Sequence, residues 1–508
     1  MPNIIASEKG VQKLLAKLNP RKASGPDGIP CRLLKEVSEE LAPALTLLFN
    51  RSLASGEVPK VWKHAYIQPV FKKGDRSQAA NYRPISLTCI CCKLLEHIVR
   101  SEISDHLDRN NIITDAQHGF RKGRSCETQL LLTVEDLAAE IDKGGQTDTI
   151  LLDFSKAFDK VPHQRLLMKL DYYGIRGETR RWIADFLSDR TQQVMVEGES
   201  SCKGPVLSGV PQGSVLGPTL FLIYINDLGD GIQARVRLFA DDTVLYSSIK
   251  NLDDADHLQA DLKKLEEWEG RWQMSFNVQK CHLLSVTRKR NRIPTSYSLH
   301  DHTLERVPEA KYLGVELTEK LHWGTHIQAT AAKANRSSAF AYRNLKGCST
   351  KVQAQCYKSL ARPVLEYASV VWDPHQQHLI DTLETVQRRA ARRILHDFRP
   401  TSSASEMVAK LQLERLERRR TEDRACMMYK IMQGLVDISV PPTLLRQSSY
   451  TSRGHNSKLH IPHARTNVYK QSFFPATAKL WNSLPESAVV APSLPAFRQS
   501  LKGWTKQQ

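Results

Sequence analysis

Cysteine is scarce in this chain, with ten residues among 508. That is too few for a disulfide scaffold. Cys89, Cys91 and Cys92 also lack the paired CxxC spacing of a zinc site. A reducing, intracellular compartment is therefore expected. No apolar run reaches the roughly 18 residues that a membrane-crossing helix needs. The first 20 residues mix charge into their apolar positions and do not read as a signal peptide. Repeats and low-complexity tracts are absent as well. With 41% apolar and 25% charged residues, the composition excludes wholesale disorder, collagen and a coiled-coil rod. Acidic residues are in deficit, 54 against 72 Lys plus Arg, which leaves a net charge of +18. Such an excess predicts a polyanionic partner, nucleic acid before an anionic membrane.

The length allows about three domains at roughly 150 residues each. Gly and Pro punctuate the chain at 24–28, 73–75, 144–145, 211–213 and 217–218. Residues 117–141 open with a Gly-rich basic turn, after which Leu130, Val134, Leu137 and Ile141 keep helical spacing. Residues 149–154 form a short β-rich run, and 155–170 turn helical. Val194, Val196 and the Gly198 turn read as a hairpin. Leu258, Leu262, Leu265, Trp268 and Trp272 lay an apolar stripe on a helix ending near Met274. Strands and helices mix without a βαβ rhythm, so an α+β fold is expected. Beyond about residue 320 the texture becomes basic. Residues 382–395 place Leu383, Val386, Ala390 and Ile394 on one face, with Arg388, Arg389, Arg392 and Arg393 between them. This stripe is either a solvated face or a nucleic-acid contact.

Two carboxylate sites interrupt apolar strands: Asp153 after Leu151-Leu152, and Asp241-Asp242 between Phe239-Ala240 and Thr243-Val244. An Asp among core residues is costly unless paired or metal-bound. Adjacent aspartates repel and call for positive charge. An Asp-Asp pair alone also suits a turn. With Asp153 ending a neighbouring strand, hard oxygen ligands for Mg²⁺ become the stronger reading. Two ions about 4 Å apart would clamp the attacking and leaving oxygens of a phosphoryl or nucleotidyl transfer.

The segments 153–159 (DFSKAFD), 208–218 (SGVPQGSVLGP) and 239–242 (FADD) follow in that order. They resemble motifs A, B and C of reverse transcriptases, in the form carried by non-LTR, jockey- or CR1-like retrotransposons. Further segments match: 22–28 an upstream motif, 72–75 with 81–87 the fingers motif, 117–121 the next, 277–280 motif D and 312–315 the primer-grip turn. The likeness spans about residues 20–320 and weakens beyond.

The resemblance implies a right-hand polymerase. It has an N-terminal extension at 1–54, fingers and an antiparallel palm at 55–320, a helical thumb at 321–400, and a mostly helical C-terminal region of unknown role at 401–508. It implies that Asp153 and Asp241 hold two Mg²⁺ ions, with Mn²⁺ able to substitute, and that Asp242 supports them. The Phe154 carbonyl completes one metal shell. Phe158 stands at the steric gate against a 2′-OH; its plain alternative is a core aromatic. Gln212 and Gly213 belong to the turn beneath the templating pair. Lys72 and Arg83 contact the incoming triphosphate, with Lys73 the alternative to Lys72. Lys280 protonates the pyrophosphate, or is a surface lysine. The expected partners are template RNA, a DNA primer and dNTPs, with neither a membrane nor an identifiable protein partner. Retrotransposition implies the nucleus. A decayed copy that only binds nucleic acid, or a group II intron-type enzyme, is the alternative. No nuclease ligand set is visible before residue 20 or after 400, so the chain is expected to extend a primer but not to nick DNA.

Overall fold

The computed structural model describes residues 1–445 and 457–504. The rest of the region expected at 401–508, residues 446–456 and 505–508, lies outside the described residues. Helices Glu8–Ala16, Cys31–Glu36 and Ser38–Ser55 come first. Strand β1 (His64–Phe71) then pairs antiparallel with β2 (Tyr82–Leu87), Val70 opposite Arg83 and Phe71 opposite Tyr82. Strand β3 (Gln146–Leu152) belongs to a second, central sheet. The chain next returns to the first sheet. There β4 (Arg190–Val196) runs parallel to β1 and pairs with both β5 (Glu199–Ser200) and β6 (Gly204–Val206). Strands β7 (Arg235–Phe239), β8 (Asp242–Ser248) and β9 (His282–Thr287) complete the central sheet. Its order is Glu305–Arg306, β9, β3, β8, β7, with β3 antiparallel to both neighbours.

The central sheet is buried on both faces, because successive side chains alternate between them. Leu238, Leu245, Leu283, Ile150 and Leu152 enter a core formed with the N-terminal helices and the helices Ile90–Arg109, Gly217–Ile225 and Leu252–Trp272. Val244, Tyr246, Leu284 and Val286 enter a second core behind the sheet. There the helix Cys126–Asp142 shares a core with Gly324–Leu345, Gln377–Leu395, Leu416–Met432, Phe473–Asn482 and Leu494–Trp504. Phe473, Phe474, Trp481 and Leu484 thus pack into a core shared with the central sheet. Polar ties follow the same route. The Thr466 amide donates to Asp142 Oδ1 at 2.7 Å, and the Ser472 hydroxyl to Glu135 Oε2 at 3.1 Å.

The expected helix at 155–170 is two helices, Ala157–Lys160 and His163–Tyr172. Pro162 separates them: it forces Val161 into extended backbone and has no N–H for the helical ladder. The expected hairpin is present, with Glu197 and Gly198 both at positive φ in its turn.

Candidate active site

Strand register brings the carboxylates together. β3 ends at Leu152, opposite Thr243, so Asp153 emerges beside the start of β8. Phe239 pairs with Asp242, leaving Ala240-Asp241 as a two-residue turn between β7 and β8. Ala240 has φ 54°, the positive φ that primed hairpin turns require. From the other side of Asp153, the Asn277 amide donates to the Asp153 carbonyl at 2.6 Å and the Ser155 amide to the Ser275 carbonyl at 2.7 Å. Phe154 stacks on Phe276 at 4.4 Å between these bonds, neither of which uses the Phe154 carbonyl. The same loop carries Lys280, whose Nζ lies 3.3 Å from Asp153 Oδ2.

The electrostatics follow from this crowding. Burial raises the Asp241 pKa, and Asp153 raises it further. Asp242 keeps an exposed surface, yet the surrounding cleft removes enough water, with Asp241 and Asp153 adding repulsion, to push it up to about 6. Lys72 and Arg83 pull both back down, so their charges face the carboxylates. Register explains the pair. Arg83 lies opposite Val70, and Lys72 is two residues beyond Val70, on the same face. Lys73 sits in the bend beyond the strand and exerts no such pull among the largest influences on either aspartate.

Among the described residues, no three His, Cys, Asp or Glu side chains stand close enough to hold a metal as they are. The donor chemistry nevertheless fits one. Three mutually repelling carboxylates supply hard oxygens at two strand ends, and the Lys280 ammonium already rests on one of them.

Next to the carboxylates, Phe158 stacks on buried Phe221 at 4.3 Å and meets Phe120 edge-on at 6.3 Å. The loop 208–214 is fastened to the segment around it. Gln212 Nε2 donates to Asp159 Oδ1 at 2.8 Å, and the Gln212 carbonyl accepts from the Ser86 amide at 2.7 Å. Gly213 has φ 108°, and a Cβ there would stand 2.7 Å from the Ser86 carbonyl oxygen. A cavity of about 360 Å³ opens beside this loop, lined by Ile67, Pro84, Lys156, Arg190 and Gln212 among others.

Sequence reasoning missed two buried supports. Glu96, fully buried, accepts the Val215 and Leu216 amides at 2.7 and 3.0 Å, just before the helix Gly217–Ile225. Its signal was available: a carboxylate on the buried stripe with Cys92, Leu95 and Val99. The other is Gln117, whose partner, Ala240, is 123 residues away.

The four arginines of the helix Gln377–Leu395 do not share one situation. Arg389 is exposed, and Arg388 is half-exposed, 3.9 Å from Asp381. Arg392 donates to the carbonyls of Arg399 and Ser402 at 3.0 and 2.9 Å. Arg393 lines a small internal cavity with Ser338 and Tyr342.

Residues 70–317 match the family model described as reverse transcriptase (RNA-dependent DNA polymerase). The RNA-directed DNA polymerase from mobile element jockey of Drosophila melanogaster is 30% identical over 399 residues, covering 76% of this chain and 43% of that protein. The probable RNA-directed DNA polymerase from transposon BS of the same fly is 29% identical over 394 residues, 74% and 43% of the two chains. That from transposon X-element is 29% identical over 405 residues, 76% and 43%. The chain thus spans under half the length of these relatives. Among the described residues, no helix is long and apolar enough to cross a membrane.

Proposed function

From a chain whose residues 70–317 match the reverse transcriptase family model, we propose an RNA-directed DNA polymerase of a non-LTR retrotransposon, acting on template RNA, a DNA primer and dNTPs. One observation carries the chemistry: three carboxylates at adjoining strand ends face two cations from the opposite sheet. That arrangement suits a triphosphate lying between them, its charge met by Lys72 and Arg83. In this reading residues 55–320 are fingers and palm, 321–400 the thumb, and 1–54 and 401–508 flanking regions.

Asp153 and Asp241, with Asp242 beside them and the Phe154 carbonyl at the edge, would hold two Mg²⁺ ions, which lower the charge cost of attack and departure at phosphorus. The primer 3′-oxygen bonds to the α-phosphorus as the bond to the β-phosphate oxygen breaks. The 3′-OH proton is lost and pyrophosphate leaves. Lys280 supplies a proton at the departing oxygen. Phe158, backed by Phe221, presents a ring under the sugar that a 2′-OH would strike. Gln212 and Gly213 shape the floor beneath the templating pair. Gln212 does this through Asp159, which ties that floor to the Asp153 segment. Arg389 is exposed to meet a nucleic-acid phosphate, Arg388 would do so by leaving Asp381, and work on a chromosomal target would place the protein in the nucleus.

The test is purified chain with poly-rA/oligo-dT, dTTP and Mg²⁺. Primer extension that disappears in Asp241→Ala is the expected result. A wild-type protein that binds the duplex but adds nothing would leave only nucleic-acid binding.

A further inference from the structure

Gln117 is buried, 1% exposed, on a segment that runs parallel beside β7. The backbone fastens this segment: the His118 amide donates to the Leu238 carbonyl at 2.8 Å, and the Leu238 amide to the Ala116 carbonyl at 2.9 Å. The Gln117 side chain folds back over the segment's end. Its Oε1 accepts the Gly119 amide at 2.8 Å and the Ala240 amide at 2.9 Å. The approach is close, since a Cβ at Gly119 would stand 2.4 Å from the Ala240 nitrogen. Gln117 Nε2 has no partner among the described residues. The oxygen is therefore the half of the amide that is used.

Ala240 is the first residue of the turn that presents Asp241 and Asp242, and it holds φ 54° with a Cβ. Residues other than glycine adopt that region only at a cost. An otherwise unpaired N–H at a buried turn would add a second cost. Gln117 removes the second and so offsets the first. We infer that Gln117 is a positioning residue, whose amide oxygen fixes the left-handed turn between β7 and β8 and thereby the placement of Asp241 and Asp242. The kinetic consequence rests on the polymerase reading above; the structural one does not.

The test compares Gln117→Met, which keeps length but loses the acceptor, with Gln117→Glu, which keeps the oxygen. Hydrogen exchange of a peptide covering residues 238–244 is read in the full chain without substrate. Single-turnover dTTP addition on poly-rA/oligo-dT with Mg²⁺ is read separately. Gln117→Met should exchange at least tenfold faster there and lose at least tenfold in maximal rate, with half-saturating dTTP within twofold. Gln117→Glu should stay within threefold of wild type in both. The inference is overturned if Gln117→Met behaves as wild type, or if Gln117→Glu is equally impaired. If the wild-type chain adds no nucleotide, the polymerase reading fails, while the exchange comparison still decides the role of Gln117.

Discussion

Lys280 and Asp153 form an ion pair across 127 residues of chain, Nζ to Oδ2 at 3.3 Å. Both side chains stay well exposed, so the pair contributes little to stability. Its consequence is competition, because the ammonium rests on an oxygen that a divalent cation would need. Lys280→Gln is expected to lower the half-saturating Mg²⁺ concentration, and to slow dTTP addition by roughly 10- to 100-fold through loss of the acid. Lys280→Arg should keep the wild-type Mg²⁺ curve but remain slow, since a guanidinium does not give up its proton. An Mg²⁺ titration under single-turnover conditions checks both. Unchanged rates in both variants would return Lys280 to an ordinary surface lysine.

Asp153→Asn and Asp241→Asn each remove one charge from the cluster while preserving shape. Under the proposed function the carboxylates act on the transition state more than on duplex affinity. Loss of several kcal/mol there predicts a fall in rate on the order of 10³-fold or more. Primer–template affinity, read by fluorescence anisotropy, should change by less than about threefold, because duplex grip comes from phosphate contacts elsewhere.

The gate proposed for Phe158 and its packing on Phe221 separate experimentally. Phe158→Val should raise ribonucleotide relative to deoxyribonucleotide incorporation if the ring lies under the sugar. It also forfeits the stack on Phe221, so the variant should lose about 1–3 kcal/mol in a denaturant melt. A melt that shifts while the rNTP/dNTP ratio does not would assign the ring to the core alone.

The order of motifs made the carboxylates readable, because each interrupts an apolar strand within a few residues. Helices with a continuous stripe, such as Leu252–Trp272 and Gln377–Leu395, were equally legible from spacing. What holds the motifs in place was not. Gln212 meets Asp159, Glu96 meets Val215, and Gln117 meets Ala240, at 53, 119 and 123 residues' separation. No periodicity links such partners, and a single buried amide or carboxylate carries no local signature of what it caps. The packing of the apolar residues at 473–484 behind the central sheet likewise depends on a helix more than 300 residues earlier.

The arginine stripe shows how structure divides a pattern that looks uniform in sequence. Arg389→Ala should flatten the log–log salt dependence of RNA binding by about 1 unit if Arg389 meets a phosphate. Arg392→Ala should leave that slope nearly unchanged. It should instead lower the melting temperature, because two carbonyls of the 399–402 turn lose their donor. Equal flattening by both would mean that Arg392 leaves those carbonyls to reach the duplex.

Glu135 couples the C-terminal region to pH. It is buried beneath the central sheet, and burial lifts its carboxyl to about 7 despite hydrogen bonds from Ser472 and Tyr469. A raised carboxyl favours the neutral form in the folded state. Its contribution to stability is full below about 4.5, the value expected in the unfolded chain, and is lost as pH rises through about 7. Glu135→Gln keeps an acceptor for Ser472 and cannot ionise. The variant should therefore match wild type near pH 4 and become the more stable protein at pH 8, by at most about 3 kcal/mol. Denaturant melts at the two pH values measure the difference. A gap that is the same at pH 4 and pH 8 would show that the carboxyl does not titrate between them, and that the C-terminal region is held against the Cys126–Asp142 helix independently of pH.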